Sequence, residues 1–297
     1  MSDAWPELLV SEWEDTRDTL LIWTQIVGKI RLALAPMVNH WWQVPFYVSV
    51  RGLGTSLMHF EDLGIEAEFD FSEHVLEFRT SNAARRSVAL ETRSVANFYD
   101  AVRNALDDLG VSVGLYEKPV EMPVSIPFRE DDSTRAYDPE AVHRYWLVLL
   151  QAHRVMSVFR GRFSGKASPV HWFWGAGDLA VTRFSGRVAP KHPGGVPNCP
   201  DIVQELAYNR ELSSCGFWAG GSEEGSFYSY AYPQPEGFED WPVPAPGRYD
   251  RSLGEFLLPY REVRLAEHPD KLLLSFLQSS YEAAAELQGW DRGILEE

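Results

Sequence analysis

One stretch of this 297-residue chain, residues 151–191, is rich in basic side chains and poor in acidic ones. Asp178 is its only acid, against seven lysines and arginines, so the stretch carries a net +6 in a chain of −16. A local cationic site on an acidic protein suits a small anion, such as a phosphate or carboxylate, because the surrounding negative field repels polyanions. We therefore expect Lys166, Arg183 and Arg187 to bind the anionic group of a small molecule.

An internal repeat within this stretch places Ser–Gly turns beside basic residues. Residues 162–169 read RFSGKASP and residues 183–190 read RFSGRVAP. The backbone N–H groups of such turns can form a concavity for an anion, and flanking arginines supply bidentate donors. The alternative is two similar turns at strand ends, whose basic side chains pair with surface acids.

Two histidines are candidates for proton transfer. His171 lies between the two repeats, and His40 follows the first predicted helix. Imidazole titrates near neutral pH, so either could act as a general acid or base, oriented by Asp178 or Glu211. The alternative for each is a hydrogen-bonded histidine that serves only the fold.

Large aromatic side chains could form the walls of a ligand pocket. The chain contains 11 tryptophans, and exposed rings stack on sugars or planar ligands. The candidates for these walls are Trp41, Trp42, Trp172 and Tyr228. The alternative is that they belong to the hydrophobic core, where most large aromatic side chains lie.

The sequence lacks the motifs of several well-known catalytic, metal and cofactor sites. Residues 175–180, GAGDLA, match G-x-G-x-x-A, yet strand-like residues follow where a dinucleotide site needs a helix. The sequence contains no H-E-x-x-H, H-x-H, C-x-x-C or G-x-S-x-G pattern. We therefore expect no metal site and no cofactor.

Charge and cysteine usage limit the partners and the compartment. A net charge of −16 argues against binding to nucleic acid or to an anionic membrane. Two cysteines cannot form a disulfide framework, and the N-terminus does not resemble a secretory signal. The sequence therefore favours a cytoplasmic protein.

The spacing of apolar residues predicts an α+β fold with mainly antiparallel sheet flanked by amphipathic helices. Helices are predicted at Glu12–Leu34 and Val95–Leu109, after a cap at Asp138, after a cap at Asp201, and from Pro269 to Gly289. Strands are predicted at Phe46–Val50, Thr55–Phe60, Glu66–Phe71, Val75–Phe78, Val88–Glu91, Val111–Tyr116, Val170–Trp174, Leu179–Phe184 and Phe227–Tyr232. These elements fall into two parts, residues 1–125 and 126–297, which either fold separately or share one core.

Several longer strings are more specific than these patterns. They are TQIVGKIRL (24–32), NHWW (39–42), SPVH (168–171), DLAVTRFSGR (178–187) and GEFLLPY (254–260). These strings resemble an uncharacterised bacterial family, domain of unknown function 5996, over nearly the whole chain. The resemblance implies no particular activity. Gly177 and Arg210 depart from the family's pattern, in which a bulky aromatic residue and a histidine stand at these positions, so any chemistry of that histidine is in doubt here.

These features together predict an enzyme that uses acid–base chemistry on a small anionic molecule of aromatic or sugar-like character. One alternative is a non-catalytic small-molecule-binding protein, and another is an interaction module whose basic stretch docks an acidic partner or a second copy. Enzyme and binding protein both require the candidate residues to converge in a concave pocket, whereas a module requires a flat basic face. The oligomeric state does not follow from the sequence.

Overall fold

The structure, a computed structural model that describes residues 4–123 and 125–296, has the α+β fold that the sequence predicts. Its helices are α1 (Val10–Leu34), α2 (Val95–Asp108), α3 (Pro139–Gly161), α4 (Asp201–Ala207), α5 (Tyr260–Leu265), α6 (Pro269–Leu287) and α7 (Arg292–Leu295). Its strands are β1 (Tyr47–Val48), β2 (Gly52–Gly54), β3 (Met58–Phe60), β4 (Leu63–Asp70), β5 (Val75–Thr80), β6 (Arg85–Ala89), β7 (Arg93–Ser94), β8 (Thr134–Arg135), β9 (His171–Phe173), β10 (Asp178–Val188), β11 (Arg210–Trp218), β12 (Ser226–Tyr232), β13 (Arg248–Asp250) and β14 (Glu255–Pro259). Short 3₁₀ helices lie at Asn39–Trp41, Phe128–Glu130 and Phe238–Asp240.

The strands form two larger antiparallel sheets. The N-terminal sheet has the order β1-β2-β4-β5-β6, with β3 paired to β4, and the C-terminal sheet has the order β13-β14-β12-β11-β10-β9. Strands β7 and β8 pair separately. Phe46 and Trp172 exchange backbone hydrogen bonds of 2.8 and 2.9 Å, which join the edges of the two larger sheets. One hydrophobic cluster accordingly includes residues from both sheets.

Two helices begin and end where their capping residues predict. The Ser94 side chain accepts a hydrogen bond from the Asn97 N–H at the start of α2, and Gly110 beyond its end has a φ of +75°. That left-handed conformation favours glycine. The Asp138 side chain accepts bonds from the Glu140 and Ala141 N–H groups at the start of α3. The side-chain cap satisfies backbone donors that lack partners within the helix.

Two local predictions were wrong. Residues 111–116 pair with no strand in the described part of the chain; instead the Val111 N–H donates to the Leu106 carbonyl of α2, and the Val113 carbonyl accepts from Arg103 of the same helix. Asp201 does not cap α4; Pro200 occupies the cap position, and the Asp201 carboxylate accepts a bond from the Gly195 N–H. Among the described residues, no helix is long and apolar enough to cross a lipid bilayer.

Helix α1 buries polar as well as apolar side chains. Its predicted apolar stripe is inside, with Trp23 completely buried and stacked on Phe98 of α2 at a centroid distance of 4.3 Å. Gln25 is also completely buried, and its amide donates to the Val120 carbonyl and accepts from the Val120 N–H, both at 2.9 Å. Arg31 donates from Nε to the Gln43 carbonyl at 2.6 Å. These bonds hold two loops against the helix.

Replacing Gln25 tests how firmly α1 holds the loop at Val120. Gln25→Leu keeps the volume but leaves the N–H and carbonyl of the half-buried Val120 without their partner, so we expect the free energy of unfolding to fall by about 1–3 kcal/mol. Gln234→Leu, on an exposed loop, is the control and should change it by less than about 0.5 kcal/mol. Equal effects of the two substitutions in urea unfolding would contradict this role of Gln25.

Candidate functional site

The three cations expected to bind one anion point in different directions. Arg183 is completely buried on the face of the C-terminal sheet that packs against α3 and α6. Its guanidinium carbon lies 3.6 Å from the ring centroid of Phe159 and 4.3 Å from that of Tyr281. Burial lowers the pKa of Arg183 to about 10. Arg183 therefore belongs to the core and does not line the same site as Lys166.

Arg187 and Glu211 contact each other at the surface. Arg187 Nε donates to Glu211 Oε2 at 2.7 Å, and Nη2 donates to the Gln288 carbonyl at 2.7 Å. The Ser185 hydroxyl donates to the same carboxylate oxygen. The second Ser–Gly segment thus holds an ion pair against the end of α6, as in the alternative interpretation of the repeat, and Arg187 is neutralised by an acid.

His171 is buried in strand β9. Its Nδ1 donates to the Pro169 carbonyl at 2.7 Å, and its ring packs against Phe173. Burial lowers the pKa of His171 to about 4, which keeps the imidazole neutral at pH 7. Among the described residues, no hydrogen bond or ion pair joins His171 to Asp178, Glu211 or His40.

The structure does bring His40 and Lys166 together, and it adds Arg210; we call these three residues the cationic cluster. Lys166 Nζ lies 3.0 Å from His40 Nε2 and 5.2 Å from the ring centroid of Trp42. Burial and then the positive charge of Arg210 lower the pKa of Lys166. Nowhere in residues 4–123 or 125–296 does a carboxylate pair with Lys166 or Arg210.

The hydrogen bonds of His40 fix its tautomer. Nδ1 lies 2.9 Å from the Ala207 carbonyl, which can only accept, so Nδ1 carries the proton. Nε2 then accepts from the Lys166 ammonium. Burial is the largest effect on the pKa of His40, which is lowered, and the charges of Lys166 and Arg210 lower it further. His40 is therefore a neutral partner that orients Lys166.

Alternate residues of the C-terminal sheet form a polar face opposite Arg183. Thr182 and Ser214 are cross-strand neighbours whose hydroxyl oxygens lie 2.9 Å apart. Ser214 faces Tyr230 on β12, and Tyr228 precedes Tyr230 on the same side of that strand. We call this surface of β10, β11, β12 and β14 the polar face.

Three carboxyl groups and three phenols gather at the polar face; we call them the carboxyl–tyrosine cluster. Its members are Glu121, Asp178, Tyr208, Tyr228, Tyr230 and Glu255. The Tyr228 hydroxyl donates to Asp178 Oδ2, and the Tyr208 and Tyr230 hydroxyl oxygens lie 2.9 Å apart. The Glu121 carboxylate packs so closely on Gly175 that an added Cβ there would lie 2.2 Å from Glu121 Oε1.

The carboxyl groups of this cluster titrate close to neutral pH. Burial raises the pKa of Asp178 to about 6, although the bond from Tyr228 opposes the shift. Burial, followed by the charge of Asp178, raises the pKa of both Glu121 and Glu255 to about 7. No lysine, arginine or histidine of the described chain forms an ion pair with these three groups. Within the same residues, no three metal-ligating side chains are arranged to hold a metal ion.

Helix α4 connects the two clusters. Its last residue, Ala207, accepts the bond from His40, and the next residue, Tyr208, contacts Tyr230. Trp41 also docks on this helix, with Nε1 donating to the Val203 carbonyl at 2.9 Å. The cationic cluster and the carboxyl–tyrosine cluster therefore lie on neighbouring parts of one surface.

Of the expected pocket walls, Trp41 and Trp42 lie at the cationic cluster and Tyr228 lies in the carboxyl–tyrosine cluster. Trp172 is elsewhere: it donates from Nε1 to the Tyr145 hydroxyl at 2.8 Å and faces away from Asp178. Sequence reasoning missed Glu121, Glu255, Tyr208 and Tyr230 as site residues. The alternation in SFYSYAY (226–232) was a usable signal, because it places Tyr228 and Tyr230 on one side of a strand.

Fold and site define an α+β protein that has a polar site on the second of two antiparallel sheets. The chain matches the model of the family of unknown function DUF5996 over residues 5–297, and it belongs to that family. The family suggested by the sequence is thereby confirmed. No curated protein and no solved structure matches the chain.

The raised carboxyl pKa values predict a specific pH dependence of stability. Because the folded protein binds a proton at Glu121 more tightly than the unfolded chain, ionising this group between pH 4.5 and about 7 destabilises the fold. We expect Glu121→Gln, which mimics the protonated form, to gain stability relative to the wild type as the pH rises through this range. Urea unfolding at several pH values measures this difference.

The matched control for that series is Glu236→Gln, which removes the same charge from an exposed loop. Its stability relative to the wild type should change little over the same pH range. If Glu121→Gln and Glu236→Gln give the same pH dependence, the carboxyl group of Glu121 does not titrate as the site requires.

Proposed function

We propose that the protein is an enzyme that binds a small anionic molecule at the polar face and exchanges a proton with it. The anionic group binds at the cationic cluster, and the reacting group lies at the carboxyl–tyrosine cluster. The observation that carries this proposal is the placement of unpaired charges of opposite sign on neighbouring parts of one surface, joined by Ala207 and Tyr208.

The cationic cluster has the chemistry of an anion site. Lys166 is exposed, Arg210 is half-buried, and neither is neutralised by a described carboxylate. A phosphate or carboxylate would supply the missing negative charge through charge-assisted hydrogen bonds. The ring of Trp42 beside Lys166 offers an apolar wall for the remainder of such a ligand.

The carboxyl–tyrosine cluster has the chemistry of an acid–base site. A group that titrates near the working pH can both donate and accept a proton, and Glu121 and Glu255 are in this range. The Tyr228 hydroxyl, whose pKa is raised by burial, stays protonated and donates to Asp178. Uncompensated buried charges of this kind are concentrated at functional sites.

An interaction module has less support than a small-molecule site. That interpretation needs the basic stretch to form a flat, exposed basic face. Arg183 is buried in the core, and Arg187 is paired with Glu211. Lys166 faces the opposite side of the sheet from Arg183, so the stretch does not present its charge on one surface.

Inorganic phosphate tests the anion site directly. We expect the wild type to bind phosphate in isothermal titration calorimetry with a Kd on the order of 1 mM. The double variant Lys166→Met, Arg210→Met should bind at least about tenfold more weakly, because it loses two charged donors. Arg187→Met removes a similar charge outside the site and should leave the Kd unchanged.

Proton exchange is tested with ligands whose binding depends on Lys166 and Arg210. Phosphate monoesters and small carboxylates that stabilise the wild type but not the double variant in a thermal-shift screen are then assayed for turnover. We expect Glu255→Gln to bind these ligands but to convert them at least about 100-fold more slowly, as removal of an acid–base group does. Equal turnover by Glu255→Gln and the wild type would contradict the catalytic role of Glu255, and unchanged phosphate binding by the double variant would contradict the anion site.

A further inference from the structure

A cavity lies between the first half of α1, helix α3 and the turn that joins β9 to β10. Its volume is about 170 Å³. Four aromatic side chains contribute to its wall: Trp13 from α1, Tyr145 from α3, Trp172 from β9 and Trp218 from the end of β11. None of the groups in the cationic cluster or the carboxyl–tyrosine cluster lines it.

The charged groups at this cavity neutralise each other. Arg17 and Asp18 both line it, and Arg17 Nε donates to Asp18 Oδ1 at 2.9 Å. Arg17 also donates from Nη1 to the Ala219 carbonyl at 3.2 Å. A cationic ligand would be repelled by Arg17 and an anionic ligand by Asp18, so the arrangement favours a neutral occupant.

The apolar wall and the volume together specify the occupant further. An engineered apolar cavity of about 150 Å³ in a protein binds benzene, so a volume of about 170 Å³ is sufficient for an aromatic ring. Aromatic walls add edge-to-face and stacked contacts, which are worth about 0.5–1.5 kcal/mol for each ring pair. We propose that this cavity is a second binding site, for a neutral aromatic molecule of one ring or two fused rings, such as an indole.

Gly177 keeps one side of the cavity open. Its φ of +74° lies in the left-handed region, which favours glycine. A Cβ at this position would lie 3.2 Å from Leu21 Cδ1 and 3.8 Å from the ring of Trp172, two residues of the wall. Ala176, next to Gly177, is exposed, so the cavity opens to solvent at this turn.

Indole is the probe for this site. We expect saturable binding of indole to the wild type in isothermal titration calorimetry and saturation-transfer NMR. Leu21→Trp places a large ring in the cavity and should weaken binding by about tenfold or more. Leu32→Trp makes the same change on an exposed position of the same helix, and it should leave the affinity unchanged.

Other outcomes distinguish this site from the polar face and from other ligands. Ala176→Trp places a large ring at the exposed turn, where it blocks the opening of the cavity, and it should also weaken indole binding. This variant replaces Leu21→Trp in the test if Leu21→Trp does not fold. Lys166→Met, Arg210→Met should bind indole like the wild type. The proposal would be overturned if the wild type did not bind indole saturably, or if Leu21→Trp and Ala176→Trp bound indole with the affinity of the wild type. Binding of tetramethylammonium in place of indole would also overturn it.

Discussion

The structure depends on the hydrogen bonds that two buried side chains of α1, Gln25 and Arg31, make to loops packed against the helix. A buried amide or guanidinium without a partner costs several kcal/mol, so the helix is stable only when particular loops lie against it. Gln25 binds both backbone groups of Val120, the residue before Glu121. Arg31 binds the carbonyl of Gln43, which follows Trp42. The same helix therefore positions a carboxyl group of one cluster and an aromatic wall of the other.

The two faces of the C-terminal sheet surround their polar side chains differently. Arg183 and its neighbours on one face pack against α3 and α6, where even a guanidinium is enclosed by aromatic rings. On the other face Asp178, Thr182 and Ser214 remain in a polar environment. Because the side chains of a strand alternate, a strand of eleven residues can contribute to the core and to a site at once. Charges left unpaired on the polar face reduce stability, and this cost is typical of a surface kept for binding.

Much of the local structure could be predicted from the sequence. The spacing of Trp13, Leu20, Trp23 and Val27 predicts α1, and the cap at Asp138 predicts the start of α3. The residue types at 111–116 predict a strand, but no strand of the described residues pairs with this segment. Both members of two contacts in the site were predicted as site residues: His40 with Lys166, and Tyr228 with Asp178. The second contact, however, requires the register between β10, β11 and β12.

By itself the sequence determined the helices, their caps, the antiparallel character of the sheets and the family, because these depend on periodicity and on motifs within short segments. Only the tertiary structure decided which charged groups meet. Arg183 and Arg187 stand on one strand, yet a bulge between Phe184 and Val188 and the packing of α6 send one into the core and the other to Glu211. Glu121 reaches the polar face through a loop distant in sequence from Asp178. Such contacts follow from long-range packing and register, which local residue patterns do not specify.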